Sequence, residues 1–235
     1  MSAAASEKSP SAFGLFFYAL LMALLGAFLG FVYMVTFPAQ AFSSQAEYEA
    51  YQVELAAKEE LSTFAKPGHA YYIEGPVLSS VTWEQKREQL ATAGAQKVEL
   101  SSGELNAWMN RIFRSGIAPT DEDQSGILVV PGVPNFGIVD TGEVYINLPT
   151  SIAAFGASED FIVSIRCALA SDSLQIRSVS VSSAQVPLPD VLGAWMVDLL
   201  LQGYRATEEY KILSEAFERA ESVEVADGSI IFQLR

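Results

Sequence analysis

Two residue types that build many enzyme sites are scarce in this chain of 235 residues. It contains one cysteine, Cys167, and one histidine, His69. A single cysteine excludes an intrachain disulfide and any multi-cysteine metal site, and a single histidine excludes sites that need two histidines from one chain. A Ser-His-Asp enzyme could use only His69, which follows Lys66-Pro67-Gly68 and is expected to be a loop residue.

Positive charge is also scarce. The chain has 14 Lys and Arg against 28 Asp and Glu, which gives a formal net charge of −14. Such a surface repels phosphate backbones and anionic headgroups, so nucleic-acid binding and polybasic docking to membranes are disfavoured. Lys86-Arg87 is the nearest approach to a basic cluster, and glutamates and glutamines surround it.

Recognisable catalytic motifs are missing: there is no Gly-rich phosphate loop and no nucleophile elbow. Asp121-Glu122-Asp123 is the densest carboxylate cluster, but it lacks the spaced ligands and the glycine of an EF-hand loop, so we expect a solvated loop. Cys167 lies on the apolar phase of a strand and is expected to be buried, whereas Arg166 is expected to be an ordinary sheet-surface charge. We therefore predict a non-enzymatic protein without a metal or cofactor.

The most prominent feature that is present is an apolar run, Phe13 to Phe37, which contains no charged residue. As a helix it would extend about 37 Å, more than the roughly 30 Å of a bilayer's hydrocarbon core. Pro38 ends the run. The sequence therefore predicts a tail at 1–12 and a single transmembrane helix at 13–37.

The charges that flank this run indicate its orientation. Lys8 and the α-amino group precede it, and Glu47, Glu49 and Glu54 follow it. The positive-inside rule then favours a cytoplasmic N-terminus and an extracytoplasmic C-terminal domain. Ala39-Gln40-Ala41 has the small-x-small form of a signal-peptide cleavage site, but the run is longer than the 7–15 residues of a typical signal-peptide core. We expect an uncleaved signal-anchor.

Small residues on the apolar helix raise a second hypothesis. Gly26 and Gly30 form a GxxxG motif, which lets two membrane helices approach closely, so a homodimer through these glycines is an alternative.

Ser44-x-x-Glu47 is a capping-box pattern that predicts a helix to about Phe64. We assign residues 38–68 to a juxtamembrane helical stalk.

Residues 69–235 are predicted to form an α+β domain. From Gly126 to Val186 the apolar period is two, with turn signals between the runs, which predicts an antiparallel β-meander with a bulge near Arg177-Ser178. Asp227-Gly228 between two apolar runs predicts a final hairpin. Amphipathic helices that begin at the capping box Ser101-x-x-Glu104 and at Pro189 are expected to cover one face of the sheet.

The broad apolar faces of these two helices leave two interpretations open. They either fill the core or, with the sheet, line a groove for an apolar ligand such as an acyl chain. Such a groove would be lined by Leu105, Trp108, Met109 and Ile112 of the first helix and by Leu192, Trp195, Met196 and Leu199 of the second.

Two short segments carry a family resemblance. Ser101-Ser102-Gly103-Glu104-Leu105-Asn106-Ala107-Trp108 and Gln185-Val186-Pro187-Leu188-Pro189 make the chain similar to the YpmS-like family of bacterial membrane-anchored proteins. The resemblance implies a membrane helix, a helix, an antiparallel sheet, a leucine-proline turn into a second helix and a last strand. It implies an anchored, lipid-associated outer domain with no catalytic residues, and it does not extend to residues 42–100.

Two main hypotheses of function follow from these features, and an enzyme with an unrecognised carboxylate site is a third. The first is a membrane-anchored, extracytoplasmic, non-enzymatic domain that binds a lipid, another apolar ligand or an envelope partner protein. The second is a structural subunit of a membrane complex that dimerises through the transmembrane and stalk helices. Both make the lipid bilayer a partner, and neither involves nucleic acid.

Overall fold

The computed structural model describes residues 11–58, 68–94, 96–113, 128–154, 157–170 and 173–235. The carboxylate cluster at 121–123, residues 59–67 of the predicted stalk and most of the N-terminal tail lie outside these ranges. The helices are α1 (Ala12–Val35), α2 (Gln45–Lys58), α3 (Thr82–Ala91), α4 (Ser102–Phe113), α5 (Ala194–Arg205) and α6 (Glu208–Arg219), and a π-helical turn (Pro189–Gly193) leads into α5. The strands are β1 (Gln40–Phe42), β2 (Tyr71–Ile73), β3 (Gln96–Ser101), β4 (Leu128–Pro131), β5 (Asn135–Ile138), β6 (Glu143–Ala154), β7 (Ala157–Ala170), β8 (Ser173–Val181), β9 (Ala184–Gln185), β10 (Ala220–Ala226) and β11 (Ser229–Leu234).

The N-terminal helix α1 corresponds to the predicted apolar run. It begins at Ser11, whose hydroxyl accepts a hydrogen bond from the Gly14 amide at 3.1 Å. It ends at Val35, because Pro38 disfavours helical geometry at the residue before it. None of its residues is buried, and by length and composition it could cross a membrane.

After α1 the chain folds back on itself. β1 and β2 pair in parallel, with Ala41 opposite Tyr72. The following helix α2 lies against this pair through aromatic contacts: the Tyr48 ring stacks on that of Tyr71 at a centroid distance of 3.9 Å, and Tyr51 lies 5.2 Å from Phe42. Within the predicted helical stalk, residues 45–58 are therefore a helix that packs on β1 and β2, whereas residues 40–42 form a strand and not a helix.

The strands of the C-terminal domain form two antiparallel sheets within the described residues, where the sequence predicted one. The terminal sheet has the order β10-β11-β3. The central sheet has the order β4-β6-β7-β8-β9, with β5 also paired to β6. The final hairpin is confirmed, because Asp227 and Gly228 have φ angles of 51° and 70°, which suit a two-residue hairpin turn. This hairpin pairs with β3 and not with the meander. The sequence did not predict that pairing, because apolar alternation predicts strands but does not specify their partners.

The central sheet contains the predicted meander, β6-β7-β8. Arg166 pairs with Ser178 and Cys167 pairs with Ile176, so Arg177 is an extra residue between these pairs. This confirms the predicted bulge, which leaves the Arg177 side chain outside the regular alternation of β8.

The helices pack in two cores that meet on the central sheet. A first core joins α3, α4 and α6 to the terminal sheet and to Ile138 and Val144 of the central sheet, around Trp108, which is fully buried. A second core lies on one face of the central sheet, where Val163, Ile165 and Cys167 pack beneath α5. Ile146 of β6 and Phe113 of α4 pack against both cores, so the cores beneath α4 and α5 are continuous across the central sheet.

Three asparagine side chains connect residues 73–76 to the sheets. Asn106 donates to the carbonyl oxygens of Pro76 and Phe136, both at 2.9 Å, and accepts from the Phe136 amide at 2.6 Å. Asn135 bonds both the amide and the carbonyl of Gly75 at 2.9 Å. Asn147 donates to the Ile73 carbonyl at 3.0 Å. These side chains supply the backbone of an extended segment with partners that a neighbouring strand would otherwise provide.

The start of α4 confirms its predicted capping box. The Glu104 amide donates to the Ser101 hydroxyl at 3.2 Å, and the Ser101 amide donates to the Glu104 carboxylate at 3.0 Å. Lys86 contributes a salt bridge to Glu104 at 2.6 Å, and the Thr82 hydroxyl donates to the same carboxylate at 2.8 Å. Burial raises the pKa of Glu104, but these hydrogen bonds outweigh it and hold the pKa below the ordinary value.

Glu104→Gln is expected to lower the free energy of unfolding at pH 7 by about 1–3 kcal/mol, because a buried charged acceptor is lost. A pKa lowered in the native state means that the unfolded chain binds more protons. The stabilisation is therefore complete above the ordinary value of 4.5 and is lost as the pH falls through the lower native pKa. Urea unfolding between pH 3 and 7 checks this, with exposed Glu99→Gln as the control.

Asn106→Ala is expected to cost about 1–3 kcal/mol, because it leaves the half-buried Phe136 amide without its acceptor. Asn110→Ala on the same helix is the control, since the Asn110 side chain bonds only the carbonyl of Asn106 one turn earlier. Equal unfolding midpoints for the two variants would contradict the role assigned to Asn106.

Candidate ligand site between the N-terminal helix and the central sheet

The eight residues of the predicted groove are not brought together. Leu105, Trp108 and Met109 are buried in the first core, whereas Met196 packs on the second core. These four fill cores, as the simpler of the two interpretations expected. Ile112, Leu192, Trp195 and Leu199 are exposed.

Gly26 and Gly30 lie on the exposed surface of α1. A Cβ atom built on either glycine would meet nothing within 4 Å. That open space is compatible with a second helix, and dimerisation through these glycines stays a prediction. Gly30, unlike Gly26, also lines the cavity described next.

A cavity of about 890 Å³ separates the last turns of α1 from the central sheet. Its wall on the α1 side is formed by Ala27, Gly30, Phe31, Tyr33 and Met34. Its floor is the face of the central sheet opposite the second core, and residues 69–71 close one side. The sequence did not predict this cavity, because its two sides are far apart along the chain.

A single serine holds the two sides of the cavity together. The Ser183 amide donates to the Phe37 carbonyl at 3.0 Å, and its hydroxyl donates to the Pro38 carbonyl at 2.9 Å. The same hydroxyl accepts from the Gly68 amide at 2.8 Å. Ser183 therefore joins the end of α1 and the segment before β2 to the turn between β8 and β9.

The floor of the cavity is polar because successive side chains of a strand point to opposite faces of a sheet. On β7, Cys167 points into the second core while Ser164 and Arg166 belong to the cavity face. Cross-strand neighbours extend this face: Tyr145 lies opposite Arg166 on β6, and Ser180 lies opposite Ser164 on β8. The predicted surface charge Arg166 is thus part of a concave site.

Arg166 is held in place by a bidentate ion pair. Its guanidinium donates to the two carboxylate oxygens of Glu143 at 2.9 and 2.7 Å and lies 6.0 Å from the centre of the Tyr145 ring. Hydrogen bonding to Glu143 raises the pKa of Arg166, against the effect of burial, while burial raises the pKa of Tyr145. Arg166 is therefore cationic and Tyr145 neutral at physiological pH.

A second arginine, Arg177, lines the cavity from the bulge of β8, and its side chain is exposed. His69 lines the opposite side. No carboxylate is among the described residues that line the cavity, although acidic residues outnumber basic ones two to one in the chain. This region therefore differs in charge from the rest of the surface.

The basic pair noted in the sequence does not form a second cationic site. Lys86 is paired with Glu104, and Arg87 donates to Glu209 at 3.0 Å and to Glu208 at 3.1 Å. These ion pairs connect α3 to α4 and to α6. Their role is structural.

Nucleophilic and metal chemistry have little support in the described parts of the chain. Cys167 is fully buried, and burial raises the pKa of its thiol to about 12. Within the residues that the structure describes, no group of three or more His, Cys, Asp or Glu is placed to hold a metal ion. The cavity combines an apolar wall with hydroxyl, guanidinium and imidazole groups, which suits binding of a ligand with an apolar chain and a polar head.

The fold and the site define a mixed helix and strand protein with antiparallel sheets and one N-terminal helix that is apolar and long enough to span a bilayer. No family model matches this chain, and neither does any curated protein or solved structure. The resemblance to the YpmS-like family therefore stays a prediction.

Proposed function

We propose that this chain is a membrane-anchored, extracytoplasmic, non-enzymatic protein that binds an amphipathic lipid with an anionic head group. The observation that carries the proposal is the cavity between α1 and the central sheet. One of its walls is a helix suited to a bilayer, and its floor carries the polar and cationic groups.

The anchor is supported by the composition of α1 and by its exposure. Large apolar side chains on all its faces are exposed, for example Phe16 at 68% and Leu24 at 64%. Such a surface is unfavourable in water and favourable in hydrocarbon. Lys8 precedes α1, and no Lys or Arg follows it before Lys58, which favours the outer side of the membrane for the domain.

The cavity lies at the depth where a lipid head group would be. At 1.5 Å per residue, Phe31 is about 27 Å along α1 from Phe13, close to the far boundary of a hydrocarbon core of about 30 Å. A lipid of the outer leaflet could place its acyl chain along Ala27 and Phe31 while its head group faces the floor of the sheet.

The charges of the lining favour an anionic head group. The charge of Arg166 is compensated by Glu143, so Arg177 and the hydroxyl groups of Ser178 and Ser180 remain to bind an anion. An arginine presents several donors in a planar fork that matches phosphate. The cavity of about 890 Å³ is within the usual size range of ligand pockets.

Assembly through α1 is the second candidate function. It is favoured by the open space around Gly26 and Gly30, which would let a second helix approach closely. The two functions predict different effects of substitutions at these glycines, because only Gly30 lines the cavity.

Gly30→Leu is expected to abolish lipid retention, because its side chain would project into the cavity from α1, whereas Gly26→Leu is expected to leave it unchanged. The measurement is native mass spectrometry of the full chain extracted from membranes that contain phosphatidylglycerol and phosphatidylcholine. Crosslinking of both variants in the same membranes reports on dimerisation. Loss of lipid in both variants together with loss of dimer would assign the site to a dimer interface instead.

Arg177→Gln is expected to reduce the preference for phosphatidylglycerol over phosphatidylcholine by about fivefold, which corresponds to about 1 kcal/mol for an exposed charge pair. Arg111→Gln is the matched control, because Arg111 is exposed on α4 and does not line the cavity. The same mass spectra give the ratio of the two bound lipids. An unchanged ratio in Arg177→Gln would rule out head-group recognition by this arginine.

A further inference from the structure

A strip of exposed apolar side chains runs along the π-helical turn and α5. Trp195 is 66% exposed and Leu199 is 51% exposed, although both belong to a helix that packs on the second core. The strip, named here the α5 strip, consists of Leu188, Val191, Leu192, Trp195 and Leu199. Spacings of three and four residues place its members on one side of the helical segment.

The opposite side of α5 packs on the domain. Met196, Val197, Leu200 and Leu201 contact the second core. The Tyr204 hydroxyl donates to the Gly132 carbonyl at 2.7 Å and fixes the end of α5. The rotation of α5 about its axis is therefore set by contacts with the domain, and the α5 strip faces outward as a consequence.

The strip lies next to the point where α1 meets the domain. Phe31 of α1 packs on the second core, and so does Met196 of α5. Pro187, which comes directly before the strip, lines the same cavity as Gly30 and Met34 of α1. The start of the strip, at Leu188, is therefore close to the last turns of α1.

We propose that the α5 strip inserts into the outer leaflet of the bilayer that holds α1, as a helix lying in the membrane interface. The inference rests on the membrane anchoring proposed above. The bilayer is favoured as the occupant because its outer boundary would lie near Phe31 of α1, and Pro187, directly before the strip, lines the cavity together with Phe31. A large apolar face that carries an exposed tryptophan is typical of helices that lie in this interface.

The charges around the α5 strip indicate that it would bind the bilayer through its apolar side chains. Asp190 and Asp198 flank the strip, and Asp198 is paired with Arg205. The strip itself carries no charged residue, and the chain is acidic, so attraction to anionic head groups does not drive the contact. The docked strip would set the tilt of the domain and hold the cavity at the height of the head groups.

The natural tryptophans provide the test. Of the three in the chain, Trp83 and Trp108 are buried and Trp195 is exposed. The full chain is reconstituted in phosphatidylcholine vesicles whose acyl chains are brominated either near the head group or near the chain end, and fluorescence quenching is measured. We expect strong quenching by the shallow bromines, weaker quenching by the deep ones and little quenching by aqueous iodide.

Two variants make the measurement specific. Trp195→Phe should remove the quenching by shallow bromines, because the remaining tryptophans are inside the domain. Leu199→Cys carrying an environment-sensitive dye should report an apolar surrounding in vesicles. Val53→Cys, on a side chain that is 72% exposed on α2, should report water. Cys167 is fully buried and should not compete for the dye.

The outcomes separate the docking of the strip from the anchoring of the chain. A chain that resists alkaline extraction, but whose Trp195 is quenched by iodide and not by brominated lipid, would overturn docking and leave the anchor intact. Protection from both quenchers, with crosslinks between Leu199→Cys copies, would assign the strip to a second copy of the chain and overturn docking. Release of the chain by alkaline extraction would overturn both the anchor and the docking.

Discussion

The arrangement of this protein depends on the hydrogen bonds that three asparagines give to residues 73–76. Ile73 ends β2, which pairs with β1, and residues 74–76 belong to no strand, so their backbone groups need other partners. Asn106 is fully buried and Asn147 nearly so, and they bond this backbone from α4 and from β6. The segment is thereby tied to both the helical layer and the central sheet.

The described elements before this segment, α1, β1 and β2, are positioned through it. β2 ends at Ile73, β1 pairs with β2, and α1 ends shortly before β1, so the asparagine contacts determine where α1 meets the sheet. Ser183 adds a second connection, from the β8–β9 turn to Phe37 and Pro38. The cavity is the space left between these two connections, which is why it combines an apolar helix with a polar sheet face.

The proposed lipid site and the proposed docking strip are consistent with one placement of the domain. The cavity is lined by Gly30 of α1, and the α5 strip begins directly after Pro187, which lines the same cavity. If α1 spans the bilayer, both meet the head-group region without rearrangement. The acidic surface elsewhere keeps the rest of the domain away from anionic lipid.

Local patterns predicted much of this structure, and long-range contacts decided the remainder. The apolar run, the capping box at Ser101, the bulge at Arg177 and the turn at Asp227-Gly228 depend on neighbouring residues, so the sequence alone determined them. The sequence did not determine that β3 joins the final hairpin, because a strand pattern does not specify the partner strand. It also did not determine that Trp108 is buried while Trp195 is exposed, because an amphipathic pattern does not specify which surface the helix packs against. The cavity depended on tertiary structure most of all, since its residues come from α1, residues 69–71 and the central sheet, and meet only in the folded chain.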